Sequence, residues 1–186
     1  MTTPPIIVLV GLMGTGKTTV ARSLADHYKC DCLDTDKLVE QSSGTSVRDL
    51  FEQRGEEGFR LLESDVLAQC LRSPRPAVVA GAGGVVLRKE NREMLFEAQQ
   101  SGRAIVVWLH ARPDVLVART QKGVHRPLLD GDRAETLERL TRERTPLYSE
   151  VADIVVDVSE RSSESVTALI IEAITVASEE GSGSNE

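Results

Sequence analysis

The chain has 186 residues, 40% of them hydrophobic and only 3% aromatic, which suits one domain with a core of Val, Leu, Ile and Ala. Its net charge of −7 argues against wholesale binding of nucleic acid or an anionic membrane, so anionic ligands would need basic residues gathered in one cleft. Cys30, Cys32 and Cys70 form no CxxC pair and no zinc spacing, as expected of free thiols in a reducing compartment. The N-terminal apolar run is too short for a leader or a membrane span, so a cytoplasmic protein is expected.

Taken in order, Ile6 to Val10 is a β-branched run of buried-strand length. Gly11-Leu12-Met13-Gly14-Thr15-Gly16-Lys17-Thr18-Thr19 follows, then a helical pattern with Val20, Ala21, Leu24, Ala25 and Tyr28 on one face. Strand, G-x-x-x-x-G-K-T and helix in succession make a phosphate-binding loop. Its glycines let backbone N–H groups curl around phosphate oxygens, and the helix directs its positive end at them. Lys17 is then placed for the β- and γ-phosphates, and the Thr18 hydroxyl for Mg²⁺.

Cys30 to Leu33 reads as a short second strand running into Asp34-Thr35-Asp36. Residues 37–54 read as short helices broken near Gly44, with Ser46 an N-cap, and Glu56 to Leu71 as a longer helix burying Phe59, Leu62, Val66, Leu67 and Cys70. Ala77 to Ala80 is a third strand entering Gly81-Ala82-Gly83-Gly84; a helix over 88–101 and a strand from Ala104 to Leu109 come next. Pro113 opens another helix. Residues 121–132, with two glycines and a proline, read as a mobile lid, and 133–149 as a helix that Pro146 distorts near its end. Asp153 to Asp157 is a fifth strand, and Val166 to Ala177 follow at clean helical spacing. Residues 1–178 are thus read as one domain, with 179–186 a disordered acidic Gly/Ser tail. Strands alternating with helices predict an α/β fold, a three-layer α/β/α P-loop domain on a five-stranded parallel sheet, with ligands at the carboxyl ends of the strands.

Several pairs admit two readings on the residues alone. Asp34 and Asp36, in an extended segment, project to one side, either as a solvated turn or as a metal ligand and a proton acceptor beside a Mg-nucleotide. Arg60 and Glu63, at i, i+3 on a helix, are either a surface pair or a carboxylate-positioned fork for a substrate anion. Arg126 is an exposed loop arginine or a lid residue that closes on phosphates. Arg144 interrupts the apolar stripe Leu137-Leu140-Arg144-Tyr148, where it either snorkels or binds an anion.

Taken together, GLMGTGKTT, LDTD, GEEGFRLLE, the AGG turn, RPLL and RTPLY, in this order, resemble the shikimate kinases from residue 6 to about 177. The resemblance implies ATP-dependent phosphorylation of shikimate, with Mg²⁺. It implies that Gly14, Thr15, Gly16, Lys17, Thr18 and Thr19 hold the ATP phosphates, that Thr18 ligates the metal and that Asp34 does so through water. It implies Asp36 as base on the shikimate hydroxyl, Arg60 and Arg144 as a carboxylate clamp supported by Glu63 and the backbone of Gly83 and Gly84, and Arg126 on the phosphates. Arg119 and Arg161 fall where the family contacts adenine. Ala82 stands where the family usually has a glycine, and is expected to be tolerated with weaker shikimate binding. The nearest alternative is another small-metabolite kinase, such as a gluconate kinase; a non-catalytic binder should lack Lys17, Asp34 or Asp36. A monomer is expected, with no nucleic-acid or membrane partner.

Overall fold

The computed structural model describes residues 6–121 and 132–182, with side chains through residue 177. Ile6–Val10 (β1), Asp31–Asp34 (β2), Ala77–Ala80 (β3), Ala104–His110 (β4) and Ile154–Asp157 (β5) form a parallel sheet in the order β2-β3-β1-β4-β5. β1 lies at the centre, and all five of its side chains are buried. This explains its unbroken apolar sequence, since a parallel strand covered on both faces has no solvent side for polar residues. The edge strands β2 and β5 are partly exposed and correspondingly mixed in sequence.

Lys17–Tyr28 (α1) follows β1 and packs with the C-terminal helix Ser163–Ser182 (α7) on one face. Thr35–Ser43 (α2) and Val47–Leu71 (α3) join β2 to β3; on the other face α3 packs on Lys89–Gln100 (α4), α4 on Arg133–Val151 (α6), and α6 on Pro113–Thr120 (α5). The connection leaving β1 runs toward one edge of the sheet and the one leaving β3 toward the other, which opens a crevice at the carboxyl ends of these neighbouring strands.

Three boundaries differ from the sequence reading by more than one residue. α2 begins directly at Thr35, because the Asp34 side chain caps it by accepting from the Lys37 N–H at 3.4 Å; Asp34 and Asp36 therefore do not share an extended segment. α6 continues through Pro146 to Val151: burial of Tyr148 and Val151 in the core holds the last turn despite the missing N–H. α7 runs to Ser182, beyond the point where the tail was expected to begin. Elsewhere the local signals match. Gly44 closes α2 in the left-handed conformation, Ser46 caps α3 by accepting from Asp49 N–H at 3.1 Å, and Gly55 (φ 67°) kinks α3 between 54 and 56. Asp132 caps α6 through Glu135 N–H at 3.1 Å. The lid residues 122–131, including Arg126, and residues 183–186 lie outside the described residues.

Candidate active site

The loop after β1 is shaped by glycine. Gly11, Gly14 and Gly16 have φ of 142°, 87° and 88°, which side-chain-bearing residues rarely adopt, and a Cβ on Gly11 would strike the Leu109 carbonyl. Thr15 is buried and ties the loop to itself by donating to the Leu12 carbonyl at 2.8 Å. The Lys17 ammonium donates to the Gly11 and Leu12 carbonyls at 2.8 and 3.0 Å, so it lies over the loop in which phosphates are expected. Thr18 Oγ1 donates to Asp34 Oδ2 at 3.0 Å, joining the start of α1 to the end of β2. These are two hard oxygen donors side by side. Among the described residues no group of three or more His, Cys, Asp or Glu is placed to hold a metal ion. The Thr18 and Asp34 oxygens fit a hard cation such as Mg²⁺, which is held by few protein oxygens together with waters and phosphate.

Asp36 lies in the first turn of α2. The residue is exposed on the helix, and the charges acting on its carboxyl are those of Asp34, Lys17, Glu40 and Arg60. Burial, and then the negative charge of Asp34, push its pKa up, while Lys17 pulls it down.

Arg60 and Glu63 are not a surface pair. Their residues are 6% and 1% exposed, and Arg60 Nη1 donates to Glu63 Oε2 at 2.7 Å; Nη2 donates to the exposed Glu56 at 3.1 Å. The guanidinium carbon sits 5.3 Å from the Phe59 ring centroid and 5.9 Å from that of Phe51, an aromatic seat that sequence reasoning missed. Burial opposes the charge on Arg60, but Glu63 and Glu56 hold its pKa above the usual arginine value. Arg60 Nε, Arg144 Nε and Glu63 Oε1 are buried without a hydrogen-bond partner among the described residues.

The glycine turn after β3 is held from several sides. Arg144, which is buried, donates from Nη1 to the Gly83 carbonyl at 2.9 Å, and the Tyr148 hydroxyl donates to the same oxygen at 2.5 Å. Arg144 therefore does not snorkel. Tyr148 stacks on Trp108, with ring centroids 5.8 Å apart. A Cβ on Gly83 would meet only ordinary contacts, the nearest being the Gly11 carbonyl at 3.6 Å. One on Gly84 would enter the Arg60 guanidinium. Ala82 imposes no strain, because Lys29 is the only non-glycine residue with positive φ among those described. The structure thus brings the P-loop, Asp34, Asp36, Arg60, Glu63, Gly83, Gly84 and Arg144 to one crevice. Arg119 Nη2 donates to the Val158 carbonyl at 2.8 Å and Arg161 Nε to the Asp157 carbonyl at 3.1 Å; both lie by the loop after β5. The contribution of Tyr148 had one legible signal, an aromatic with a polar tip on an otherwise buried stripe.

Comparison with known proteins gives this geometry its context. The family model described as shikimate kinase matches residues 13–175. A shikimate kinase from Pseudoalteromonas translucida is 43% identical over 170 residues, spanning 90% of this chain and 95% of the relative. The solved structure of a shikimate kinase from Acinetobacter baumannii in complex with shikimate superposes with a TM-score of 0.87 at 35% identity, covering 94% and 95% of the two chains. A gluconokinase from Sinorhizobium meliloti, 17% identical with a TM-score of 0.65 over 99% of each chain, is similar in fold alone. Matched from the phosphate loop to the last helix by both sequence and backbone, the chain belongs to the shikimate kinase family.

Proposed function

We propose that the chain transfers the γ-phosphoryl group of ATP to the 3-hydroxyl of shikimate, giving shikimate 3-phosphate and ADP on the route to chorismate and the aromatic amino acids. The observation that carries this reading is the meeting of two buried arginines, Arg60 and Arg144, around the Gly83–Gly84 turn beside a phosphate loop. A planar guanidinium held by a buried carboxylate suits a small acceptor bearing its own carboxylate.

In this reading Gly14 to Thr19 cradle the ATP phosphates, and Lys17 exchanges its loop carbonyls for phosphate oxygens. Thr18 and Asp34 are the residues that would hold Mg²⁺, which would supply positive charge against the ATP phosphates. Arg60 and Arg144 bind the shikimate carboxylate, with Glu63 fixing Arg60 and the backbone of Gly83 and Gly84 bordering the ring. Asp36 accepts the proton of the attacking hydroxyl; its raised pKa makes it a stronger base once ionised. Arg119 and Arg161 contact the adenine side. Arg126 neutralises the transferring group, an assignment resting on sequence alone. The remaining acceleration comes from holding hydroxyl and phosphorus in line with water excluded. The enzyme works as a monomer, and in the cytoplasm, the second supported by its free thiols; no helix among the described residues is long and apolar enough to cross a membrane.

The test is ADP release measured across shikimate, gluconate and nucleoside monophosphates. Shikimate should give the highest kcat/KM, and faster turnover of any other acceptor overturns the assignment.

A further inference from the structure

Between the two aspartates of the crevice stands a residue to which the reading above gives no role. Thr35 is 1% exposed, and its hydroxyl is engaged twice across the fold. It accepts the Ala82 N–H at 2.8 Å and donates to the Ala80 carbonyl at 3.4 Å. The β2–β3 ladder ends where Asp34 pairs with Ala80, because the chain turns at Thr35 into α2 and its backbone leaves the sheet. The Thr35 side chain carries the pairing one step further. It holds the last residue of β3 and the turn just past it, on either side of Gly81, while its own backbone already belongs to the helix.

We propose that Thr35 is a positioning residue of the phosphoryl acceptor site, setting the distance between the Asp36 carboxylate and the Gly83–Gly84 backbone. Its chain neighbour on one side is Asp36. Its hydrogen-bonded neighbour Ala82 directly precedes the two glycines whose surroundings are Arg144, Tyr148 and Arg60. Loss of the hydroxyl leaves the buried Ala82 N–H without its acceptor, and the turn must shift to find another. That shift moves the Gly83 carbonyl, on which Arg144 and Tyr148 both depend, and reopens the space that Gly84 gives to Arg60. Neither the hydrogen bonds of the phosphate loop nor the Thr18–Asp34 contact uses the Thr35 hydroxyl, although Gly83 itself borders Gly11 of that loop. The proposal therefore separates acceptor binding from nucleotide binding, and it rests on the assignment of this turn and Asp36 to shikimate.

The test compares Thr35→Val, which keeps the shape and removes the hydroxyl, with Thr35→Ser, which keeps the hydroxyl. Should Thr35→Val fail to fold, Thr35→Cys, with a weak acceptor of similar size, takes its place. At a temperature where each variant is folded by circular dichroism, the expected result is a rise in shikimate KM of about tenfold for valine or cysteine, with ATP KM within about twofold of wild type and serine near wild type. An unchanged shikimate KM in the valine or cysteine variant overturns the proposal. So does a parallel rise in both KM values, the mark of a merely structural threonine, or a serine variant as impaired as valine. Failure of the function assignment itself would show separately, as a wild-type protein that does not turn over shikimate.

Discussion

Replacing Gly84 by alanine places a methyl carbon 2.7 Å from Arg60 Nη2 and closer still to Nη1 and Cζ. The guanidinium must leave its seat, and that seat is the one from which it donates to the buried Glu63 at 2.7 Å. If Arg60 pivots and loses this bond alone, the cost is that of a charged hydrogen bond, about 1.5–3 kcal/mol. If it swings out and leaves Glu63 buried without its partner, the cost rises to about 3–5 kcal/mol. The expected destabilisation of Gly84→Ala thus lies at about 2–4 kcal/mol, read from the urea midpoint at constant slope. Gly83→Ala, whose methyl would come no nearer than 3.6 Å to any described residue beyond its chain neighbours, should cost less than about 1 kcal/mol. The penalty should also shrink in a Glu63→Gln background, where no carboxylate is left stranded, so the two substitutions form a double-mutant cycle. In the same variant the shikimate KM should rise while that for ATP holds. A Gly84→Ala protein with the wild-type midpoint and shikimate KM, or an equal penalty with glutamine at 63, refutes this reasoning.

Asp36→Asn should lower kcat by about 10²–10⁴-fold, as loss of a general base does. It should also slightly raise the Tm of the ligand-free protein at pH 7. The folded-state pKa of Asp36 lies above its unfolded value, so the native state binds the extra proton between the two and stability falls as pH rises through that window. The asparagine variant escapes that loss, and a lower Tm at pH 7 would contradict the direction of the shift. Arg144→Ala should raise the KM for shikimate at least about tenfold with little change in that for ATP, and equal effects on both would remove Arg144 from the acceptor site. Burial pushes the Cys70 thiol up to about 11, so in the native protein at pH 7.5 iodoacetamide should label the exposed Cys32 well before Cys70, as peptide mass spectrometry would show; early labelling of Cys70 refutes its burial.

Most of the architecture is legible because local and global preferences agree. β1 and β3 are short apolar runs ended by glycine, and Ser46 and Gly44 mark helix ends by the hydrogen bonds they make. Asp34 is the instructive exception. An aspartate at the end of a strand is equally an N-cap, and only the Lys37 N–H it accepts decides that a helix begins at once. Arg144 announced itself as a charge on an apolar stripe, and burial against the Gly83 carbonyl explains it. Its partners could not be read in the same way. The links from Thr35 to Ala82 and from Tyr148 to Gly83 join residues 47 and 65 positions apart, and they exist only because the sheet order brings those segments together. Pro146 and the Gly-Ser end of α7 show the same limit from the other side, where tertiary packing or helix continuation overrides residue preference.

In the function proposed above, the attachment of Lys17 to two carbonyls of its own loop makes nucleotide binding an exchange. Each bond the ammonium forms with a phosphate replaces one it already had, so the favourable free energy is a difference between two sets of charged contacts rather than the whole of one. The half-buried lysine is already partly desolvated and oriented over the loop, which lowers the cost of capture. When the diphosphate leaves, the same carbonyls take the ammonium back. On that reading the loop competes with its own ligand, which lowers affinity for the nucleotide before and after transfer alike.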